Sequence, residues 1–372
     1  MNKLTKSVKK EKGREKITEA KTFNVPFALE KIKNNLTITT NFPYKTSKEE
    51  IINQAFILHS KGKILEAAKY YHDFIQRGFT DPRIFCNFGI ILQDLGKAKE
   101  TFDCYVKTIE HDPNYPNIYP QITRFLRDSN PSELNKSKLK NILFLLLKRN
   151  DVRHKELFGA FQFLYENQIV NNLKKLDIDF SHTELFINDK LIINSLKKII
   201  YQDPKWEIIL TKLRRDICDR IANQKEKITN SKLELIIALG EQCFLNEYIY
   251  KVTEEEKIYI NIIIRQCQSN QLNESNISIL SCYFPLYKLV DQIPSLKSFH
   301  SSNQNIKELI KLQIEEPINE NELSKTIKKL SPINDSISQK VKSQYEENPY
   351  PRWRHGNSLI QQKPTIAQAI NI

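Results

Sequence analysis

Residues 82–115 read "PRIFCNFGIILQDLGKAKETFDCYVKTIEHDPNY". Laid over "KEEIINQAFILHSKGKILEAAKYYHDFIQRGFTD" of residues 48–81, the two stretches share one register at an offset of 34 residues. Ile51 falls on Phe85, Asn53 on Asn87, Ala55 on Gly89 and Leu58 on Leu92; Gly62 falls on Gly96, Glu66 on Glu100 and Tyr71 on Tyr105. A third copy starts, with Phe85 over Tyr119, Phe88 over Ile122 and Leu92 over Leu126, and fades where Gly96 meets Asn130. A period of this length is that of a helix–turn–helix unit that cannot bury its apolar face alone and stacks on its neighbours. The residue types fit. Ala55 and Gly89 are small enough to bring two helices together, and Gly62 and Gly96 suit a left-handed turn between them. Ala67 marks the tight crossing in the first copy, Tyr71 and Tyr105 fill the space between units, and Pro113 stops the last helix.

Outward from the repeat, the chain has 372 residues, a 40% hydrophobic fraction and only eight glycines. Helices need few glycines, so an all-α fold is expected: a helical-hairpin solenoid, then a helical bundle or superhelix, then an extended C-terminal connector. The expected segments are a basic lead-in over 1–45, the repeats over 46–130, a helical domain over 131–333 and the connector over 334–372. The net charge is +13, of which residues 1–21 supply +5 from eight Lys/Arg and three Glu. Such a tail reads as a solvated segment, and nucleic acid is not the expected partner. No apolar run is long enough for a membrane span, and no apolar segment follows the basic N-terminus, so a cytoplasmic protein is expected. Cys86, Cys104, Cys218, Cys243, Cys267 and Cys282 form no C-x-x-C and read as buried thiols.

The middle region carries helical stripes. Leu139, Ile142, Leu145 and Leu146 form one, and Ile209, Leu213, Ile217 and Ile221 another. "SKLELIIALGEQCFLNEYIY" is apolar on all sides and reads as a buried central helix, while Thr253 and Glu256 have capping-box spacing. Chemistry is sparse. There is no Gly-rich phosphate loop and no metal-ligand spacing among the seven histidines. Asp216 and Asp219 sit among arginines and read as ion pairs. Glu241, Gln242, Cys243, Asn246 and Glu247 read as a structural hydrogen-bond network. Within the repeat, the side chains expected to face a peptide groove are Asn53, Phe56, His59, Arg83, Asn87, Ile90, Gln93, Arg124 and Arg127. Amides at 53 and 87 suit a peptide backbone, and Arg83, Arg124 and Arg127 suit a carboxylate.

These positions give a resemblance. Gly89, Gly96, Tyr105 and Pro113, with Gly62, Ala67 and Tyr71, resemble the tetratricopeptide repeat family, although Thr101 stands where that family favours alanine. Further on, residues 344–353 read "QYEENPYPRW". A helix with Ile337, Val341 and Tyr345 on one face leads into a stiff strut of Asn348, Pro349, Tyr350, Pro351, Arg352 and Trp353. The strut is similar to the connector of a bacterial family that joins such repeats to a class I S-adenosylmethionine-dependent methyltransferase domain. "ALGEQCFLNEY" and "LSCYFPLY" resemble the same family's helical part. The resemblance implies a partner- or substrate-recruiting module whose strut docks a catalytic domain. With Gly356 the one glycine after Gly240, that domain is not expected within these residues, so no cofactor and no catalytic residue is expected among them. Two alternatives stand beside it: an enzyme active only as a larger polypeptide or with a separate catalytic chain, and an independent peptide- or nucleic-acid-binding scaffold.

Overall fold

The 34-residue offset reappears in space. In a computed structural model, which describes residues 46–174, 184–327 and 335–347, helix α1 spans Lys48–Ser60, α2 Ile64–Gln76, α3 Pro82–Asp94 and α4 Ala98–His111. Both helices of the second hairpin start 34 residues after those of the first. Ser47 and Glu50 close a capping box at α1, and Asp81 caps α3 with Pro82 in its first turn. Both hairpins turn in the same way. Gly62 has φ +73° and Gly96 +72°. Around the first, Gly62 N–H donates to the His59 carbonyl at 3.0 Å and Lys63 N–H to Leu58 at 2.9 Å. The second repeats this, from Gly96 to Gln93 at 3.0 Å and from Lys97 to Leu92 at 2.9 Å. These paired bonds satisfy the last helical carbonyls, and the left-handed residue between them favours glycine.

Packing repeats as well. A Cβ on Gly89 would stand 2.7 Å from the Tyr105 ring, so glycine lets that ring lie closer to α3 than a larger residue would. In the first hairpin Tyr71 is fully buried with Ala55 in the same core cluster. Thr101 is buried and returns its hydroxyl to the Lys97 carbonyl at 2.8 Å, which removes the penalty of placing a polar group where the first hairpin has Ala67. One core runs from Ile51, Ala55, Ala68 and Tyr71 to Ile84, Phe88 and Ile91, joining the hairpins.

The chain divides into two compact units between Ile118 and Tyr119. The start of the third repeat, α5 (Ile118–Asp128), therefore falls at the head of the second unit. There follow α6 (Lys136–Lys148), α7 (Phe158–Lys174), α8 (Glu184–Asn188), α9 (Lys190–Leu196), α10 (Pro204–Ala222), α11 (Asn230–Leu245), α12 (Glu254–Gln266), α13 (Glu274–Leu280), α14 (Gln304–Ile310), α15 (Glu316–Thr326) and α16 (Ser336–Glu347). Among the described residues there is no strand, and the fold is all-α.

In the second unit α11 is the central helix, buried from Leu235 through Leu245 and packed by α8, α9, α10, α13 and α14. Gly240 lets α13 approach so closely that a Cβ there would overlap the Ser281 side chain. The stripe Ile209, Leu213, Ile217 and Ile221 is buried, and Thr253 and Glu256 form the expected capping box. The stripe on α6 needs correction. Leu139, Ile142 and Leu146 are buried, but Leu145 is 39% exposed, and Leu143 and Leu147 join the core instead. At 3.6 residues per turn Leu145 points about 120° away from the centre of that buried face.

Candidate functional site

In the first unit, α1 and α3 carry the side chains expected to meet a peptide. Asn53 is exposed, and Phe56, Arg83 and Ile90 are half-buried. Arg83 sets its guanidinium over the Phe56 ring, 5.5 Å from the centroid, so the two hairpins meet through a cation on an aromatic face. The guanidinium is not open to a carboxylate from elsewhere. Its Nε and Nη2 donate to Asp81 at 3.0 and 2.7 Å. Burial raises the Asp81 carboxyl, and the bonds from Arg83 outweigh this, leaving it below its ordinary value. The expected carboxylate contact at Arg83 would have to displace Asp81.

Of the expected groove residues, His59 faces inward, and Gln93, half-buried, bonds to a buried tyrosine. His59 is 3% exposed, and its Nδ1 lies 2.8 Å from the Tyr71 hydroxyl. In the second hairpin the Tyr105 hydroxyl donates to Gln93 Oε1, also at 2.8 Å. The two bonds are the same bond moved by one repeat. The register explains the correction: His59 and Gln93 each stand one helical turn beyond the small residue, Ala55 or Gly89, that admits the tyrosine. Burial lowers the His59 pKa from its ordinary value.

Asn53 and Asn87 share a register but not an environment. Asn87 is 2% exposed, and its side-chain carbonyl oxygen is buried without a hydrogen bond among the described residues. On α3 it lies on the face of Ile84, Phe88 and Ile91, which joins the core of the first hairpin. The matching face of α1 holds Glu50, Asn53, Gln54 and Ile57, each partly or largely exposed. Asn87, expected in the groove, therefore faces the first hairpin instead, with its oxygen out of reach of a bound peptide; a buried acceptor without a donor is costly.

Arg124 and Arg127 belong to the second unit. They border a recess of about 30 Å³ with Pro120, Val152, Arg153 and Glu156, a space for a water-sized guest. Arg127 is held by Asp128 at 2.6 Å and lies 3.5 Å from Glu156, which Arg153 also approaches at 3.3 Å. Arg124 is exposed near Asp128.

Of the residues expected to form a polar network, Gln242 is clamped, Glu241 lies 3.7 Å from Lys197, and the Asn246 side chain is buried with no hydrogen bond among the described residues. Gln242 Nε2 donates to the carbonyls of Leu196 and Ile199 at 2.8 and 2.6 Å, and its Oε1 accepts from Tyr201 N–H at 3.0 Å. Gln313, in a π-turn over Lys311–Glu315, donates to the Gly240 carbonyl at 3.2 Å. Arg214, which the sequence places among surface ion pairs, is fully buried with Glu256 at 3.1 Å and donates to the Lys251 carbonyl at 2.8 Å. Tyr283 gives its hydroxyl to Glu256 at 2.8 Å. Asp216 and Asp219 do form ion pairs, with Arg220 at 3.0 Å and with Lys225. All six cysteines are buried and free, and burial pushes the thiols of Cys86, Cys104 and Cys218 up to about 12. Such thiols are poor nucleophiles at neutral pH.

On α16, Asp335 caps the helix start by accepting from Ser338 N–H at 2.7 Å. Ile337 is 70% and Val341 44% exposed. Tyr345 lies in this helix; Asn348, Pro349, Tyr350, Pro351, Arg352 and Trp353 lie outside the described residues. No helix among the described residues is long and apolar enough to cross a membrane. Compared with known proteins, the chain matches no family model, no curated protein and no solved structure.

Proposed function

We propose that the chain is a protein-interaction module whose first unit binds an extended peptide segment across α1 and α3. The observation that carries this reading is the Arg83–Phe56 contact between the two hairpins, which leaves ring and guanidinium half-buried on the surface that α1 and α3 share. Phe56 and Ile90 offer half-buried apolar surface there, and the exposed Asn53 amide suits a peptide backbone. The repeated hairpin supports the same reading, because stacked helix pairs create extended surfaces of this kind. With Arg83 engaged by Asp81, the peptide is recognised through backbone and apolar contacts more than through a carboxylate.

The connector resemblance at residues 344–353 adds the partner. In this reading the module recruits a protein to a methyltransferase, and S-adenosylmethionine is bound by a catalytic domain rather than by the helices of this chain. Selection of a random peptide library on the full chain tests the first part. Enriched peptides should lose binding to Phe56→Ala and Arg83→Glu variants; no enrichment, or peptides indifferent to both changes, would contradict it. Calorimetry with S-adenosylmethionine tests the second, and saturable binding by this chain alone would overturn it.

A further inference from the structure

In the most basic helix of the second unit, Lys140 is engaged by Asp189, whereas Lys136 and Lys148 have no carboxylate among the described residues. Helix α6 carries Lys136, Lys138, Lys140 and Lys148 and no acidic residue. It packs beside α9, and between them lies an open cleft of about 600 Å³. Phe144 lines the cleft half-buried and Leu191 lies at its base. Leu145, turned out of the core, stands exposed next to Phe144 in the chain. Of the residues lining the cleft, Phe144 is the one that offers apolar surface.

The rim carries Lys140, Lys190 and one carboxylate, Asp189. Lys148 sets its ammonium over the Phe144 ring, 4.2 Å from the centroid. The carboxylates nearby are already held, Asp189 by Lys140 at 2.7 Å and by the Tyr165 hydroxyl at 2.8 Å, and Glu234 by Lys190. Lys148 has no carboxylate among the described residues, and the same is true of Lys136, whose ammonium lies 4.9 Å from the centroid of the Phe163 ring. An ammonium over an aromatic ring keeps its charge available to an incoming anion.

We propose that this cleft docks an acidic peptide segment, which seats an apolar side chain on Phe144 and sets a carboxylate against Lys148. Charge complementarity selects the occupant: an aromatic ring beneath a lysine without a carboxylate of its own fits an acidic residue beside a large apolar one. Single-stranded nucleic acid fits less well. It needs a bare aromatic face for base stacking, and Lys148 already covers one face of the half-buried Phe144 ring. The proposal is independent of the peptide surface on the first unit.

The test uses the full chain and fluorescence anisotropy. The probe is a short labelled peptide of glutamate and leucine, compared with its glutamine counterpart and its serine-for-leucine counterpart. The glutamate–leucine peptide should bind more tightly than either. Lys148→Glu should weaken it about tenfold and flatten its salt dependence, and Phe144→Ala should weaken it with the salt dependence kept. Both substitutions fall at sites outside the buried core, so helical circular dichroism should be retained. Arg83→Glu in the first unit should leave this binding unchanged while abolishing that of library-selected peptides, which separates the two surfaces. Equal binding of the glutamine counterpart, full competition by oligothymidylate, or indifference to Lys148→Glu would each overturn the proposal.

Discussion

The two units bury their polar groups in opposite ways. The first builds one apolar core twice over and adds one tyrosine hydrogen bond per hairpin, His59 with Tyr71 and Gln93 with Tyr105. The second surrounds a single helix and fastens it with buried polar clamps, namely Gln242, Gln313 and the Arg214–Glu256 pair. The lesson is that a repeat carries its specificity in spacing, whereas a core without a repeat carries it in particular partners. A buried ion pair is weak evidence of stability, because desolvation offsets the attraction, yet removing one member leaves a charge stranded.

That contrast predicts a ranking of effects. Glu256→Ala should be the most damaging, destabilising the second unit by about 3–5 kcal/mol, because Arg214 is left buried without its carboxylate. Hydrogen exchange should show protection lost in α10–α13 and kept in α1–α4; uniform loss would break the contrast. Gly89→Ala comes next. The added methyl collides with the Tyr105 ring, and overpacking of this kind costs about 1–3 kcal/mol, partly offset by the roughly 1 kcal/mol that alanine gains in a helix. Denaturant unfolding should register a loss in the first unit, and an unchanged midpoint would show that the ring yields freely. Tyr105→Phe, which removes one hydroxyl bonded to Gln93, should cost about 1 kcal/mol, and Tyr71→Phe a similar amount if the two bonds are equivalent.

The smallest effect sharpens the comparison inside the first unit. The folded His59 pKa lies below its ordinary value, so the folded state binds its proton later than the unfolded one as pH falls. Its contribution is therefore intact above the ordinary histidine pKa of about 6.5 and is lost as pH falls through the folded value. His59→Gln installs the residue that the second hairpin uses at the same position and should keep a bond to Tyr71. Melting temperatures measured from neutral pH to about pH 5 should fall less steeply in the variant. Parallel curves would place the acid sensitivity elsewhere.

Sequence alone makes the helix starts and the turn glycines legible, because Gly62 and Gly96 punctuate a strict period. It also marks α11 as central, since an all-round apolar helix has nowhere else to go. Side-chain partners are less legible. His59 reads as a groove residue because polar type suggests exposure, and the signal that corrects this is the tyrosine twelve residues later, a spacing that Gln93 and Tyr105 repeat. Leu145 reads as core by type, against its angle on the helix. Asn87 and Asn53 cannot be separated by sequence, because the difference lies in which hairpin covers each face. Arg214 is out of reach for a similar reason: its partner stands 42 residues away.

Phe56 offers the most direct test of peptide recognition. Its ring is half-buried beneath the Arg83 guanidinium, so alanine there removes apolar surface that a peptide would cover, and a library-selected peptide should bind about tenfold more weakly. Asn87→Leu is the control. It removes a buried acceptor that has no donor among the described residues, so the melting temperature should hold or rise, and because that oxygen faces the first hairpin the affinity should not change. Titrating the peptide into both variants reads the two outcomes together. Reduced affinity in Phe56→Ala with affinity kept in Asn87→Leu is the predicted result; unchanged affinity in Phe56→Ala would contradict it.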